Sequence, residues 1–261
     1  MRCDQIIEYL EKEIPLSLAE AWDNSGLQVG RRDARVSKIY LALDATDEVI
    51  RHCAETGAGL LITHHPLLMG GIKKINSDDF HGRKILDMVE NHITHYALHT
   101  NYDVAVMGRL CSEYLNMTGL VPLEETGVDW KGEPAGIGAV GDLPREMTAG
   151  DCCLQVKQAF SLEYVRLFGD PKTKVRRAAI CPGSGKSLTG CALKKQADIY
   201  ITGDIGHHDG IDALDQGLTV VDAGHYGMEH VFIHWMEGFL KKEFPGLPVQ
   251  CEKLREPFQT V

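Results

Sequence analysis

The sequence has no Cys-x-x-Cys pair, no excess of positive charge, and no uninterrupted apolar run near the roughly 18–20 residues of a membrane helix. Its eight cysteines, at 3, 53, 111, 152, 153, 181, 191 and 251, therefore read as reduced core residues, and none is assigned to a metal or a disulfide. With 27 basic against 37 acidic residues and a net charge of −10, a protein that wraps nucleic acid or an anionic membrane is disfavoured. The opening stretch "MRCDQIIEYLEKEIPLSLAEAW" lacks the basic, then apolar, then small-residue order of an export signal, so a cytoplasmic location is expected. Two further motifs are incomplete. "ICPGSGKSL" (180–188) ends like a phosphate-binding loop, yet Ile180 stands where that motif needs its first glycine. No Ser or Cys lies in a nucleophile-elbow context, which leaves covalent catalysis without support.

What is present is 261 residues at 44% hydrophobic composition, enough for one large α/β core or two smaller ones. Short aliphatic runs predict strands at 38–45, 59–63, 93–98, 177–181, 198–202 and 218–223, with helical patterns such as 47–57 and 82–92 between them. That alternation argues for mainly parallel sheets with crossover helices, an α/β fold. The two halves also resemble each other. "AGLLITHH" (58–65) matches "ADIYITGD" (197–204), which sets His64 and His65 against Gly203 and Asp204. The next strand of each half ends in a histidine with an acid four residues later, His99 with Asp103 and His225 with Glu229. The pattern predicts a duplicated β-α-β unit, with halves at 1–128 and 129–261. Thr63 to His99 spans 36 residues and Thr202 to His225 spans 23, and the loop "PLLMGGIKKINSDD" (66–79) is the place for the excess.

Ligands of open α/β folds collect beyond the carboxyl ends of the strands. His64, His65, His99 and His225 all follow predicted strands directly, and a spacing of four sets each of His99/Asp103 and His225/Glu229 on one face if the chain turns helical there. Adjacent residues of an extended chain point opposite ways, and Pro66 favours extension at His65, so His64 and His65 are expected to diverge toward different ions. Four imidazoles and two carboxylates exceed one tetrahedral shell and suit two bridged ions. Mixed nitrogen and oxygen donors allow zinc, manganese, iron, cobalt or nickel and disfavour calcium and magnesium. His208, in "GDIGHHDG", is a candidate proton carrier or phosphate binder, and His207 is a weaker one; His230 and His234 read as packing or surface.

With these residues in view the chain resembles the Nif-three-like family, also called GTP cyclohydrolase I type 2-like proteins with a dinuclear metal centre. The matching stretches are "WDNSGLQVG" (22–30), "LLITHHPLL" (60–68), "HTNYD" (99–103), "CPGSGKSL" (181–188), "YITGDIGHHD" (200–209) and "DAGHYGMEH" (222–230). The resemblance implies two metal ions held by His64, His65, Asp103, His225 and Glu229, with His99 as a sixth ligand, at the carboxyl edge between two similar three-layer α/β halves. It also implies a toroidal homohexamer, here in a short form without the additional middle domain of some relatives. His208 keeps a family histidine, whereas His207 departs from it. The implied activity is metal-dependent hydrolysis of a nucleotide or similar small anion, with ring opening of GTP as the named candidate and His99 or His208 moving the proton. The alternatives are a non-catalytic metal-binding scaffold or metal-delivery protein and, third, a phosphatase or phosphodiesterase.

Overall fold

The structure, a computed structural model, describes residues 1–128 and 132–259. Residue 129, where the sequence reading opens the second half, lies outside the described residues. By compactness the chain divides into two units, Met1–Tyr102 with Phe232–Arg255, and Asp103–Val231 with Glu256–Val261. The strands, in chain order, are β1 Gly26–Val29, β2 Ile39–Ala42, β3 Leu60–Thr63, β4 Thr94–Ala97, β5 Thr118–Val128, β6 Pro134–Thr148, β7 Arg166–Phe168, β8 Lys174–Ser184, β9 Ile199–Gly203, β10 Thr219–Asp222 and β11 Val249–Cys251.

In the first unit the sheet order is β1-β4-β3-β2-β11. All neighbours are parallel except β1, which runs antiparallel along β4. Every residue of β2, β3 and β4 is buried, which accounts for their unbroken apolar runs: a parallel strand covered on both faces has no polar side to alternate with. One face packs Tyr40, Ala42 and Leu61 with Val49, Cys53, Ile85 and Met88 from the two crossover helices. Those helices, Asp47–Thr56 and Phe80–Glu90, start where the side chains of Thr46 and Asp79 accept from the amides of Val49 and Gly82. The loop 66–79 precedes the second of them and is largely exposed from Met69 on, so the excess length of the first copy falls where the sequence placed it.

The second unit is a six-stranded sheet of order β5-β6-β8-β9-β10-β7. β8, β9 and β10 are parallel, and the other three pairings are antiparallel, so this sheet is mixed. Its core gathers Val140, Ala179, Tyr200 and Val220 with Leu188, Ala192 and Ala213.

The repeat is visible in the topology. Each unit has a helix, an antiparallel edge strand and then three parallel strands joined by helices, with orders β1-β4-β3-β2 and β7-β10-β9-β8. Thr63 pairs with Ala97 as Thr202 pairs with Asp222, so Leu98 corresponds to Ala223. By that register His225 sits one residue further beyond its strand than His99. Among the described residues no helix is long and apolar enough to cross a membrane.

Candidate metal centre

In the first unit β3 ends at Thr63 and the chain bends at His64 and His65. The Thr63 hydroxyl donates to the carbonyl of His65 at 2.6 Å and closes that bend. Here the expectation of divergence is corrected: the rings of His64 and His65 lie side by side, with centroids 4.9 Å apart. The bend removes the alternation that an extended chain would impose. His99 follows β4 and its ring lies 5.4 Å from that of His64 and 5.7 Å from that of His65. Ligand nitrogens of the three all fall within 4.8 Å of one another. His64 is fully buried against Tyr102 and Phe232, whereas His65 and His99 are partly exposed.

Each of these imidazoles has an oxygen at Nδ1. His64 Nδ1 lies 2.8 Å from the carbonyl of Leu98, His65 Nδ1 2.8 Å from Asp44 Oδ1, and His99 Nδ1 2.7 Å from Asp23 Oδ1. A carbonyl or an ionised carboxylate only accepts, so Nδ1 carries the proton and Nε2 carries the lone pair that coordinates. Asp23 also accepts from Ser25 Oγ at 2.6 Å, Thr100 Oγ1 at 2.6 Å and the Thr100 amide at 3.1 Å. Burial alone would raise its carboxyl, yet the bonds from His99, Ser25 and Thr100 outweigh burial and hold it well below the usual range.

In the second unit β10 is followed by the turn Ala223–Gly224 and the helix His225–Glu229. That helix places His225 Nε2 3.0 Å from Glu229 Oε2, as the spacing of four predicts. His225 Nδ1 is held by Asp204 Oδ2 at 2.7 Å, the same arrangement as in the first unit. Gly183, at the end of β8, has φ +73, and a Cβ there would overlap Glu229 Oε1 and lie 3.6 Å from His225 Nε2. Gly183 of "CPGSGKSL" thus keeps a side chain out of the donor pair, and the stretch is a turn beyond a strand, with Gly185 N donating to Thr202 Oγ1 at 3.1 Å. Asp103, half-buried, opens a π-helical turn, Asp103–Met107, a helix form that recurs at functional sites. Asp222, buried, accepts from Arg166, from the Ile205 amide at 3.1 Å and from the Gly224 amide at 3.0 Å, which pins the segments bearing Asp204 and His225.

Imidazoles with fixed tautomers and buried carboxylate oxygens fit a borderline transition metal or zinc. The cysteines do not add to the set: Cys111 and Cys181 are buried, and burial, reinforced by the charge of Asp103, pushes both thiols up, Cys181 to about 12. His208 and its neighbour His207 are exposed at the start of the helix His207–Asp215, rings 5.2 Å apart. His230 stacks on Tyr226 and His234 faces solvent, in line with their reading as packing and surface. The sequence reading missed the three carboxylates behind the histidines. Asp44 and Asp204 had a signal, an acid just past an apolar strand at the edge where the histidines lie. Asp23 had only its place in "WDNSGLQVG".

Two α/β units with histidine and carboxylate donors at the carboxyl ends of parallel strands define a candidate metal-binding protein. The profile of the DUF34/NIF3 family (NGG1p interacting factor 3) matches residues 1–257, and the chain belongs to that family. A Clostridium perfringens protein named GTP cyclohydrolase 1 type 2 homolog is 38% identical over 232 residues, 88% of this chain and 87% of the relative. A protein of the same name from Clostridium acetobutylicum is 34% identical over 254 residues, 95% of this chain and 94% of its own. Among solved structures, the Bacillus cereus protein related to NIF3 superimposes with a TM-score of 0.90 at 25% identity, covering 100% of this chain and 99% of that one. Reduced HcgD from Methanocaldococcus jannaschii does so at 0.82 with 29% identity, covering 97% and 98%.

Proposed function

We propose that His64, His65, His99, Asp103, His225 and Glu229 bind two divalent metal ions, and that the protein is a metal-dependent hydrolase of a nucleotide or similar small anion. The observation that carries the reading is the shared orientation of the four imidazoles: each Nδ1 faces an oxygen acceptor, which leaves Nε2 of His64, His65 and His99 as donors and sets His225 Nε2 beside the Glu229 carboxylate. A surface or packing histidine has no need of that common arrangement. Zinc, iron, manganese, cobalt and nickel all suit the donors.

Two such ions, when bound, acidify water and polarise the bond under attack. The chain's own part is orientation and proton movement. Asp23, Asp44 and Asp204 hold the rings, and Gly183 leaves room for Glu229 Oε1. His99 or His208 moves the proton, as a general acid and base. The relatives' name supports GTP ring opening as the first substrate to try, and the family resemblance supports a ring of six copies, which light scattering on the purified chain tests.

The test is formate release from GTP by metal-loaded protein beside an Asp103→Asn/Glu229→Gln double variant. Turnover that vanishes in the variant is expected. Phosphate in place of formate would make the protein a phosphatase, and no turnover by fully loaded protein would make it a metal carrier or scaffold.

A further inference from the structure

Trp22 is 61% exposed, the most exposed aromatic side chain among the described residues. An indole is the largest apolar ring a chain can carry, and water around it is unfavourable unless something covers it. Its place is specific. The ring meets that of His99 at a centroid distance of 6.0 Å and an interplanar angle of 79°, so it stands at the rim of the His64, His65 and His99 donors.

The turn that bears Trp22 is also fastened on both sides. The Asp23 amide donates to the Glu20 carbonyl at 2.9 Å, which closes the turn over residues 20–23. The Glu20 amide donates to Thr100 Oγ1 at 2.9 Å, and Thr100 Oγ1 in turn donates to Asp23. The His99 amide donates to Ser25 Oγ at 3.3 Å, and Asn24 Nδ2 reaches the Leu68 carbonyl. Asp23 therefore does two things at once: it orients the His99 ring, and it anchors the neighbouring residue in place. An exposed aromatic on a mobile loop loses much of its binding energy to ordering; one fixed in advance does not.

We propose that Trp22 is the platform on which a planar heteroaromatic ring of the substrate stacks, while the rest of that substrate reaches the donors. A fixed indole face accepts any such ring with little preference among its substituents, because every heteroaromatic base presents a π-face. The assignment rests on the hydrolase reading for its direction, from ring to donors, and it narrows the substrate class to anions that carry a flat heterocycle. Sugar phosphates without a base would have no use for Trp22.

Equilibrium dialysis of the full-length, metal-loaded protein against guanosine and against ribose 5-phosphate tests this, with Trp22→Phe and Trp22→Ala variants. Guanosine affinity should fall about tenfold or more in Trp22→Ala and less in Trp22→Phe, from the usual loss on removing a stacked aromatic. Ribose 5-phosphate affinity and metal content should not change in either variant. The Trp22 dependence of guanosine binding should survive removal of the metal by a chelator, and it should do so even if the loaded protein hydrolyses nothing, which separates the platform from the hydrolase reading. Equal guanosine affinity in wild type and Trp22→Ala overturns the platform, as does the absence of guanosine binding by the wild type. A change of oligomeric state as the sole effect of Trp22→Ala also overturns it and makes the indole a contact between copies of the chain.

Discussion

The two units build the same edge from the same parts and use it differently. The first presents three imidazoles, two on a bend after β3 and one after β4. The second presents one imidazole and a carboxylate on a single helical turn after β10. The position after β3 and β9 shows the divergence most directly. His65 there is a donor held by Asp44, and Asp204, its counterpart in the repeat, is the acceptor that holds His225. Duplication of a strand end has left a candidate donor imidazole in one copy and the orienting carboxylate in the other. On the proposed reading, one backbone position serves coordination in the first copy and orientation in the second.

That comparison can be broken at the orienting carboxylates. Asp23 has no side-chain exposure and serves five donors, whereas Asp204 is half exposed and holds His225. Asp23→Asn should weaken metal binding about a hundredfold and Asp204→Asn about tenfold, the two ends of the range for partners behind a ligating histidine. Competition with a chromophoric chelator measures both, and equal losses would remove the asymmetry.

A smaller effect is expected at Gly183. Alanine there meets the Glu229 carboxylate from a left-handed backbone, φ +73, so Gly183→Ala should destabilise the fold by about 2 kcal/mol in urea melts and displace Glu229. Alanine at Gly217, where φ is +85 and nothing lies within 4 Å, isolates the backbone part of that loss.

The smallest effect concerns acid. His95, on β4, is fully buried with Nε2 2.7 Å from Thr63 Oγ1, and its counterpart on β10 is Val220. Burial lowers the His95 pKa from 6.5 to about 3. Between those values the unfolded chain binds the extra proton, so stability falls as pH falls, by about 1.4 kcal/mol per unit at most. Glu252, beyond β11, runs the other way. Burial raises it from 4.5 to about 7 against a bond from the Leu43 amide, aided by Asp44 and Glu48, so its contribution is lost as pH rises through that window. The two oppose each other between about pH 4.5 and 6.5, and below 4.5 His95 acts alone. Acid should therefore open β4 before β10 in hydrogen exchange, and His95→Leu should abolish the difference.

Much of this was legible in the sequence. The six strands read from aliphatic runs are β2, β3, β4, β8, β9 and β10, the three adjacent parallel strands of each repeat, whose burial on both faces writes itself as an apolar run. β5 and β6 went unread because they pair antiparallel, have no regular alternation of buried and exposed residues and carry glycine and proline, and β1, β7 and β11 are too short and too polar at the edges to signal. The donors were legible as polar residues closing apolar strands. Asp23 was not, because it meets His99 across 76 residues of chain, through a segment with no periodicity of its own. The bend at His64 and His65 was misread because Pro66 argues for extension, while the Thr63 hydroxyl that closes the turn lies inside the strand.

The central claim is that both donor sets hold metal, and metal analysis of the fully loaded chain tests it most directly. About two ions per wild-type chain, with fewer in both His65→Ala and Glu229→Ala and each variant still folded by circular dichroism, is the predicted result. Full metal retention in both folded variants would contradict it.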